Sequence, residues 1–319
     1  MSFQILGTGS ALPACRKTND DLSQLVDTSD EWITTRTGIK ERRILTTETV
    51  TEIAVTAAKN ALDNSGIAAS ELDYIICPTL AGDYMTPSLA CVVQMELGAS
   101  CPAVDINGAC SGFLYGLDVA EGIFARKKAR YVLVLAAERL SRILDWTDRS
   151  TCVLFGDAAA AVVLGEGDAL HFLEVTAHGN LCLAAPLASG SCPYTEPDTR
   201  KPGLLMKSRE VYTFAVGAIS SGIEKAAQET GISTEETDYY FLHQANMRII
   251  ETARKKLGLP REKFPVNIQK YGNTSAASIP LCMAEFEDKF KVGDKLVLTA
   301  FGAGFTWGAL YLVWGYNAK

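Results

Sequence analysis

The sequence predicts an α/β fold built from two pseudo-symmetric halves. Short apolar runs rich in β-branched residues, such as 129–136 (ARYVLVLA), alternate with longer segments in which apolar residues recur at helical spacing. Hydrophobic residues make up 48% of the 319 positions, which is enough for a large core. The second half of the chain also repeats the first. These observations favour two similar α/β units packed together over a disordered chain.

The internal repeat is the strongest of these signals. Segment 60–74 resembles segment 225–239, and matched residues such as Gly66 and Gly231 are 165 positions apart. Two later pairs of apolar runs match in the same order, namely 130–136 with 294–300 and 155–164 with 305–314. A chance likeness of one helix–strand unit is the alternative interpretation. Three matches in one order favour a duplication, with a period too long for a solenoid.

Local patterns predict the individual elements and the boundary between the halves. Strands are expected at 3–6, 73–78, 129–136 and 155–164, and helices at 20–37, 51–65, 87–97 and 247–257. A loop-like stretch at 179–209 contains several Pro and Gly residues. We place the boundary there, which gives an N-terminal half at 1–178 and a C-terminal half at 179–319.

Composition and charge narrow the function classes. The net charge of −7 argues against general nucleic-acid binding. No apolar run has the length of a membrane span, and the N-terminus lacks the pattern of a signal peptide. The nine cysteines are an odd number, and none has metal-ligand spacing. We therefore expect a cytoplasmic enzyme with reduced thiols, no metal, and no nucleic-acid or membrane partner.

One short stretch, 105–113 (DINGACSGF), carries the clearest sign of chemistry. A predicted strand ends there, Gly108 permits a turn, and helical spacing begins soon after Cys110. A helix N-terminus favours ionisation of a nearby thiol, and the thiolate is the nucleophilic form. A small buried cysteine is the simpler interpretation of a single Cys. The residues expected around Cys110 favour the nucleophile.

Two neutral hydrogen-bond donors are predicted to share a cleft with Cys110. His243 follows an apolar strand, and the repeat brings this strand end and Asn273 towards the pseudo-twofold axis, with Cys110 opposite Ser275. A thiol with two neutral donors suits acyl transfer and stabilisation of an enolate or oxyanion, whereas a hydrolase needs a base for water. The turn at 302–304 (GAG) offers a further backbone donor, although a simple tight turn has the same sequence.

Segments spread over the whole chain resemble the β-ketoacyl-acyl-carrier-protein synthase III family of the thiolase-like superfamily. They are 28–43 (TSDEWITTRTGIKERR), 105–113 (DINGACSGF), 148–164 (DRSTCVLFGDAAAAVVL), 243–250 (HQANMRII), 271–280 (YGNTSAASIP) and 301–309 (FGAGFTWGA). The segments occur in family order. The resemblance implies a duplicated thiolase-like fold in a layered αβαβα arrangement, with the N-terminal half carrying the nucleophile. It places the family's catalytic trio at Cys110, His243 and Asn273.

The resemblance also implies a two-stage reaction that initiates type II fatty-acid synthesis. Cys110 takes an acyl group from acyl-CoA, the substrate, and no cofactor is permanently bound. His243 and Asn273 bind the thioester carbonyl of malonyl-acyl-carrier protein and stabilise the enolate left when CO₂ departs. That carbanion attacks the acyl group on Cys110. Backbone N–H groups of Cys110 and of the Ala303–Gly304 turn hold the oxyanion.

Ligand-binding residues are implied as well. The coenzyme A segment of the family corresponds to Thr28, Trp32, Arg36, Arg149 and Asn246. The predicted helix after His243 carries Arg248, Lys255 and Lys256 on a basic face expected to meet an acidic carrier protein, although a solvated surface gives the same pattern. Thr86 corresponds to a position that lines the acyl pocket of the opposite subunit in the family homodimer. Its small side chain favours a longer or branched primer.

Several other functions are compatible with parts of the pattern. A related ketosynthase that builds a polyketide or quinolone precursor would use the same chemistry. A thioester hydrolase, or an inactive partner that binds acyl carrier protein, belongs to a different class. The intact trio Cys110, His243 and Asn273 argues against inactivity, and no acidic residue adjoins His243 in the sequence to support water activation.

Overall fold

The computed structural model describes residues 2–80, 82–186, 194 and 203–316. Within these ranges the strands are β1 (Ser2–Ala11), β2 (Arg16–Thr18), β3 (Glu41–Arg43), β4 (Tyr74–Pro78), β5 (Ala103–Ile106), β6 (Tyr131–Glu138), β7 (Ala158–Gly167), β8 (Leu170–Asn180), β9 (Leu183–Ala184), β10 (Leu205–Met206), β11 (Tyr239–Leu242), β12 (Lys295–Gly302) and β13 (Gly304–Val313). The α-helices are α1 (Asn19–Ser23), α2 (Asp30–Thr37), α3 (Val50–Ser65), α4 (Leu89–Leu97), α5 (Gly112–Ala125), α6 (Ser208–Thr230), α7 (Met247–Lys256), α8 (Ile268–Tyr271) and α9 (Ser278–Phe286). None of these helices has the length and apolar character needed to cross a bilayer.

Two main sheets confirm the predicted duplication. The first has the strand order β1-β7-β6-β4-β5, and the second has the order β8-β13-β12-β11. In the first sheet β7 is antiparallel to β1 and β6, whereas β6 and β4 are parallel. In the second, β13 is antiparallel to β8 and β12, whereas β12 and β11 are parallel. Four consecutive strands of each sheet therefore share one pairing pattern.

The helices form layers around the two sheets, as the αβαβα arrangement predicts. Helices α5 and α9 pack between the sheets, where Phe113 and Met283 join one buried cluster with residues of both sheets. Helices α3 and α4 cover the outer face of the first sheet, and α6 and α7 cover that of the second. The strands inside this sandwich are apolar on both faces because each face is covered by helices.

The matched glycines of the repeat mark equivalent helix ends. Gly66 ends α3 with φ 74°, and Gly231 ends α6 with φ 69°. Both conformations are left-handed, and glycine adopts this region without the steric cost that a Cβ atom brings. The sequence identity of the two positions therefore has a direct structural reason.

Some predicted bounds need correction. The helix expected at 20–37 is two helices, α1 and α2, separated at the N-cap Ser29. The stretch at 179–209 contains the end of β8 and the short strands β9 and β10, and residues 187–193 and 195–202 lie outside the described residues. The boundary at 178/179 falls inside β8, and the division into halves at that point stays a prediction.

Two equivalent turns lie where the halves meet. The Cys110 turn (Ala109–Ser111) leads into α5, and the Ser275 turn (Ser275–Ala277) leads into α9. Ala109 and Ser275 have φ values of 47° and 51°, both in the left-handed region. They are 166 positions apart, so Cys110 is equivalent to Ala276 and not to Ser275. The expected pairing of Cys110 with Ser275 was wrong by one residue. Equivalent residues are 165 positions apart in β4 and β11, and they are 166 positions apart in these turns.

Candidate active site

A single cavity brings the predicted trio together. It has a volume of about 800 Å³ and is lined by Cys110, His243 and Asn273, and also by Ala303 and Gly304. The three side chains come from different elements: the Cys110 turn, the residue after β11, and the segment before the Ser275 turn. Their common location agrees with the convergence of equivalent strand ends that the repeat predicts.

Cys110 is half-buried at the cavity wall. The pKa of its thiol is raised to about 12, chiefly by burial. Ser275 lowers this pKa and Glu138 raises it, both by smaller amounts. We expected the helix N-terminus to favour ionisation, whereas burial acts in the opposite direction in this structure. The thiol is therefore protonated at neutral pH in the unacylated protein.

The backbone of the Cys110 turn is held in place from β12 and β13. The Thr306 hydroxyl donates to the Gly108 carbonyl at 3.0 Å, and the Ser111 hydroxyl donates to the Thr306 carbonyl at 3.1 Å. Gly302 approaches so closely that a Cβ atom there would lie 2.7 Å from the Cys110 backbone nitrogen. Only glycine leaves the position of that nitrogen undisturbed.

His243 is 1% exposed and has a defined hydrogen-bond partner. Its Nδ1 lies 2.7 Å from the Ser278 Oγ, which also accepts the Gln244 N–H at 3.3 Å. We assign the tautomer in which the Ser278 hydroxyl donates to Nδ1 and the ring hydrogen lies on Nε2. Burial lowers the pKa of His243 to about 3. The imidazole is neutral at physiological pH and can donate from Nε2.

The side-chain amide of Asn273 is oriented by the Ser275 turn. Asn273 Oδ1 accepts the Ser275 N–H at 2.8 Å, which leaves its NH₂ group for a ligand in the cavity. The backbone is fixed too, because the Asn273 N–H donates to the Leu154 carbonyl at 2.8 Å and its carbonyl accepts the Gly156 N–H at 3.0 Å. Asn273 therefore presents a second neutral donor on a rigid backbone.

Most residues assigned to coenzyme A surround one end of the cavity. Trp32, Arg36 and Asn246 line it. The guanidinium carbon of Arg36 lies 4.5 Å from the Trp32 ring centroid, and that of Arg149 lies 5.1 Å from it. The aromatic ring and two cations give a surface suited to an adenine base and phosphates. Thr28 is not among the residues that line the cavity.

The residues assigned to carrier protein and primer are placed differently. Arg248 lines the cavity, whereas Lys255 and Lys256 are exposed at the far end of α7. Thr86 is exposed and does not line the cavity of its own chain. The acyl-pocket role expected of Thr86 would need a second subunit and stays a prediction.

The structure adds residues that sequence reasoning missed. Ser278 lies within a segment quoted for the family resemblance, yet nothing in the sequence pairs it with His243. Glu138 ends the apolar strand β6, and the structure places it close enough to Cys110 to raise the pKa of the thiol. The sequence signal that could have found Glu138 is a single carboxylate at the end of an otherwise apolar strand. Among the described residues, no three His, Cys, Asp or Glu side chains form a group that could hold a metal.

Comparisons with known proteins give the family of the chain. Residues 104–180 match the family model described as 3-oxoacyl-[acyl-carrier-protein] synthase III, and residues 227–314 match the model of its C-terminal part. The β-ketoacyl-[acyl-carrier-protein] synthase III of Clostridium acetobutylicum is 44% identical, with 98% of this chain and 99% of that protein covered. The enzyme of the same name from Aquifex aeolicus is 47% identical, with the same coverage.

A solved structure gives the same result for the fold. The crystal structure of 3-oxoacyl-[acyl-carrier-protein] synthase III from Aquifex aeolicus superimposes with a TM-score of 0.91 at 46% identity, covering 98% of this chain and 100% of that one. The fold, the cavity and the full-length similarity lead to one conclusion: the chain belongs to the β-ketoacyl-acyl-carrier-protein synthase III family, which has the thiolase-like fold.

Proposed function

We propose that this protein catalyses the decarboxylative condensation of an acyl-CoA primer with malonyl-acyl-carrier protein, the initiating step of fatty-acid synthesis. The products are 3-oxoacyl-acyl-carrier protein, CoA and CO₂. The observation that supports this best is the placement of one thiol, Cys110, in a cavity with two neutral donors, His243 and Asn273. Membership of the synthase III family supports the same reaction.

In the first half-reaction the Cys110 sulfur attacks the acyl-CoA carbonyl. The bond between the carbonyl carbon and the CoA sulfur breaks, and CoA leaves as a thiol with the proton that Cys110 gives up. The backbone N–H of Cys110 and one from the Ala303–Gly304 turn are suited to hold the oxyanion. The apolar side of the cavity, formed by Leu80, Leu140, Phe155 and Leu204, suits the acyl chain.

In the second half-reaction His243 and Asn273 stabilise an enolate. The malonyl C–C bond to the carboxylate breaks, CO₂ departs, and the electron pair moves into the thioester carbonyl. Nε2 of His243 and Nδ2 of Asn273 donate to that oxygen. The carbanion attacks the acyl group, and the Cys110 thiolate leaves and regains a proton. A neutral imidazole whose pKa is about 3 is a weak base, which disfavours the hydrolase alternative.

Mass spectrometry of the protein and of the carrier protein tests this proposal. Incubation with acyl-CoA should add one acyl group at Cys110, and subsequent malonyl-acyl-carrier protein should yield the 3-oxoacyl product. Cys110→Ala should form neither the acyl-enzyme nor the product. Acylation of another cysteine, or release of free acid without condensation, would contradict the proposal.

The two substrates are expected to contact different residues at the mouth of the cavity. Trp32, Arg36 and Arg149 suit coenzyme A. Arg248 and the exposed lysines of α7 suit an acidic carrier protein. Arg248→Glu should mainly weaken the use of malonyl-carrier protein and reduce its salt dependence. Trp32→Ala should mainly weaken acyl-CoA binding. Equal losses in both half-reactions for both variants would contradict this division.

A homodimer is part of the proposal. Strand β5 is the edge of the first sheet, and apolar side chains near it are exposed, including Met85 at 89%, Met95 at 64% and Val104 at 37%. Such an edge is suited to pair with a second copy, which would bring Thr86 towards the partner's cavity. A monomeric mass in light scattering would contradict this assembly.

A reducing compartment such as the cytoplasm is also part of the proposal. The eight described cysteines form no disulfide bonds, in keeping with such a compartment.

A further inference from the structure

The carboxyl group of Glu138 is buried near the reacting groups, and the proposed reaction does not use it. Glu138 is the last residue of β6 and is 1% exposed. Its Oε2 accepts the Leu80 N–H at 3.0 Å. Its Oε1 is buried and has no hydrogen-bond partner among the described residues. A buried polar atom of this kind needs an explanation, because leaving it unpaired is costly.

A second unpaired atom lies beside this carboxyl group. Ser275 is fully buried, and its Oγ also lacks a hydrogen-bond partner among the described residues. Ser275 and Ala276 are close enough to Glu138 to lower the pKa of its carboxyl group, and Ser275 also lowers the pKa of the Cys110 thiol. Glu138 therefore lies between Leu80, which lines the cavity, and the Ser275 turn, which orients Asn273.

Burial outweighs the groups that would stabilise a negative charge on Glu138. The pKa of Glu138 is raised to about 8, chiefly by burial and to a smaller extent by Asp157, whereas the N–H groups of Leu80 and Ala276 and the Ser275 side chain lower it. The titratable groups that face it are Cys77 on β4, Asp157 before β7, and Cys110, and none of these is a cation. The neighbouring Arg139 directs Nη2 to the Leu45 carbonyl at 3.3 Å and acts on Asp157.

We propose that Glu138 is a positioning residue that is held as a neutral carboxylic acid. It links Leu80 in the cavity lining to the Ser275 turn, and it keeps negative charge away from the site where thiolate and enolate form. A small rotation of either side chain would let a protonated Oε1 donate to the Ser275 Oγ, which would satisfy both unpaired atoms at once. The inference rests on the proposed condensation, because it assigns Glu138 a part in orienting Asn273 and in the electrostatics at Cys110.

Ionisation of Glu138 would oppose both half-reactions. A carboxylate in this buried position raises the pKa of Cys110. It would also raise the energy of the enolate on Asn273, since like charges interact strongly where water is excluded. We therefore expect activity to decrease as Glu138 ionises.

The test compares Glu138→Gln and Glu138→Ala with the wild type in each half-reaction between pH 6.5 and 9.5. The amide of Gln imitates the neutral acid and cannot ionise. Its acylation rate should stay within a few fold of the wild type at pH 7, and the ratio of variant to wild-type rate should rise as pH increases through about 8. Glu138→Ala should lose about tenfold or more in condensation, because it removes the link to the Ser275 turn. Glu166→Gln, an exposed acid on β7, is the matched control.

A spectroscopic measurement makes the test independent of rates. Infrared difference spectra between pH 7 and pH 9.5 should show the loss of a protonated carboxyl band in the wild type and not in Glu138→Gln. Loss of acylation at every pH in a folded Glu138→Gln would mean that the carboxylate accepts a proton through Ser275, and would overturn the inference. A wild type that forms no 3-oxoacyl product would instead contradict the proposed function. A wild type that condenses while its Glu138 variants behave like the control would contradict this inference alone.

Discussion

The Cys110 turn and the Ser275 turn occupy equivalent places in the two halves, yet they are held in different ways. Each begins with a left-handed residue and leads into a central helix, α5 or α9. The Cys110 turn is supported by the end of β12, where Gly302 lets two backbones approach closely. The Ser275 turn is packed against β6, whose last residue, Glu138, supplies a side chain in place of a glycine.

This difference shows how a duplicated scaffold acquires two roles. Close backbone packing fixes an N–H group, which suits the turn that carries the nucleophile and an oxyanion donor. At the Ser275 turn, a backbone N–H orients the amide of Asn273 and the Ser278 hydroxyl orients the imidazole of His243, so this turn suits two side-chain donors. The pseudo-symmetry supplies the position of each turn, and the local support decides what the turn presents to the cavity.

The largest expected effect comes from filling the close approach at the Cys110 turn. In Gly302→Ala the new Cβ would lie 2.7 Å from the Cys110 nitrogen and must displace it. Acylation of Cys110 should fall about 100- to 1,000-fold, the range for loss of an oxyanion donor. The measurement is the single-turnover rate with acyl-CoA. Gly217→Ala is the control, because a Cβ there meets nothing within 4 Å. Equal rates in the two variants would show that the close approach is not needed.

The second prediction concerns the donors beside the Ser275 turn. Removing His243 or Asn273 deletes one of the two neutral donors to the enolate. His243→Ala and Asn273→Ala should each reduce decarboxylation and condensation about 100-fold or more, while acylation of Cys110 is partly retained. Release of CO₂ from malonyl-carrier protein and acylation by acyl-CoA are measured separately. A variant that condenses normally would show that its residue does not bind the enolate.

A smaller effect is expected from the hydroxyl that orients His243. Ser278→Ala removes the hydroxyl that lies 2.7 Å from Nδ1 of His243. Without this partner, nothing selects the tautomer that donates from Nε2. Condensation should fall about 10- to 100-fold, as for other groups that orient an active-site histidine, while acylation changes little. Nitrogen NMR of the histidine should show the Nε2–H tautomer in the wild type and a mixture in the variant. The wild-type tautomer in Ser278→Ala would contradict the assignment.

The last prediction concerns stability in place of rate, at the support that differs between the turns. The pKa of Glu138 is raised from 4.5 to about 8 on folding, so the folded protein retains a proton that the unfolded chain loses. The contribution to stability is complete below pH 4.5 and is lost as pH rises towards 8. Relative to Glu138→Gln, the wild type should therefore become steadily less stable as pH rises from about 4.5 to about 8. Urea unfolding at pH 5, 6.5 and 8 measures the difference, and parallel curves for the two proteins would contradict the raised pKa.

The sequence by itself determined the duplication and the family, and it predicted the trio Cys110, His243 and Asn273. These features are visible because they depend on residue identity in local patterns: apolar runs, matched glycines such as Gly66 and Gly231, and motifs that keep their order. Their structural reasons are local as well, as in the left-handed glycines that end α3 and α6.

The tertiary structure alone decided the state of these groups. The protonated thiol of Cys110 and the neutral ring of His243 result from burial by segments far apart in the chain. The contact between His243 and Ser278 joins residues 35 positions apart, and Glu138 acts on a turn more than a hundred residues away. A pKa depends on desolvation and on neighbours in space, and a linear pattern does not contain either quantity. The sequence therefore predicted the reacting groups, and the packing of the two halves decided their charge and orientation.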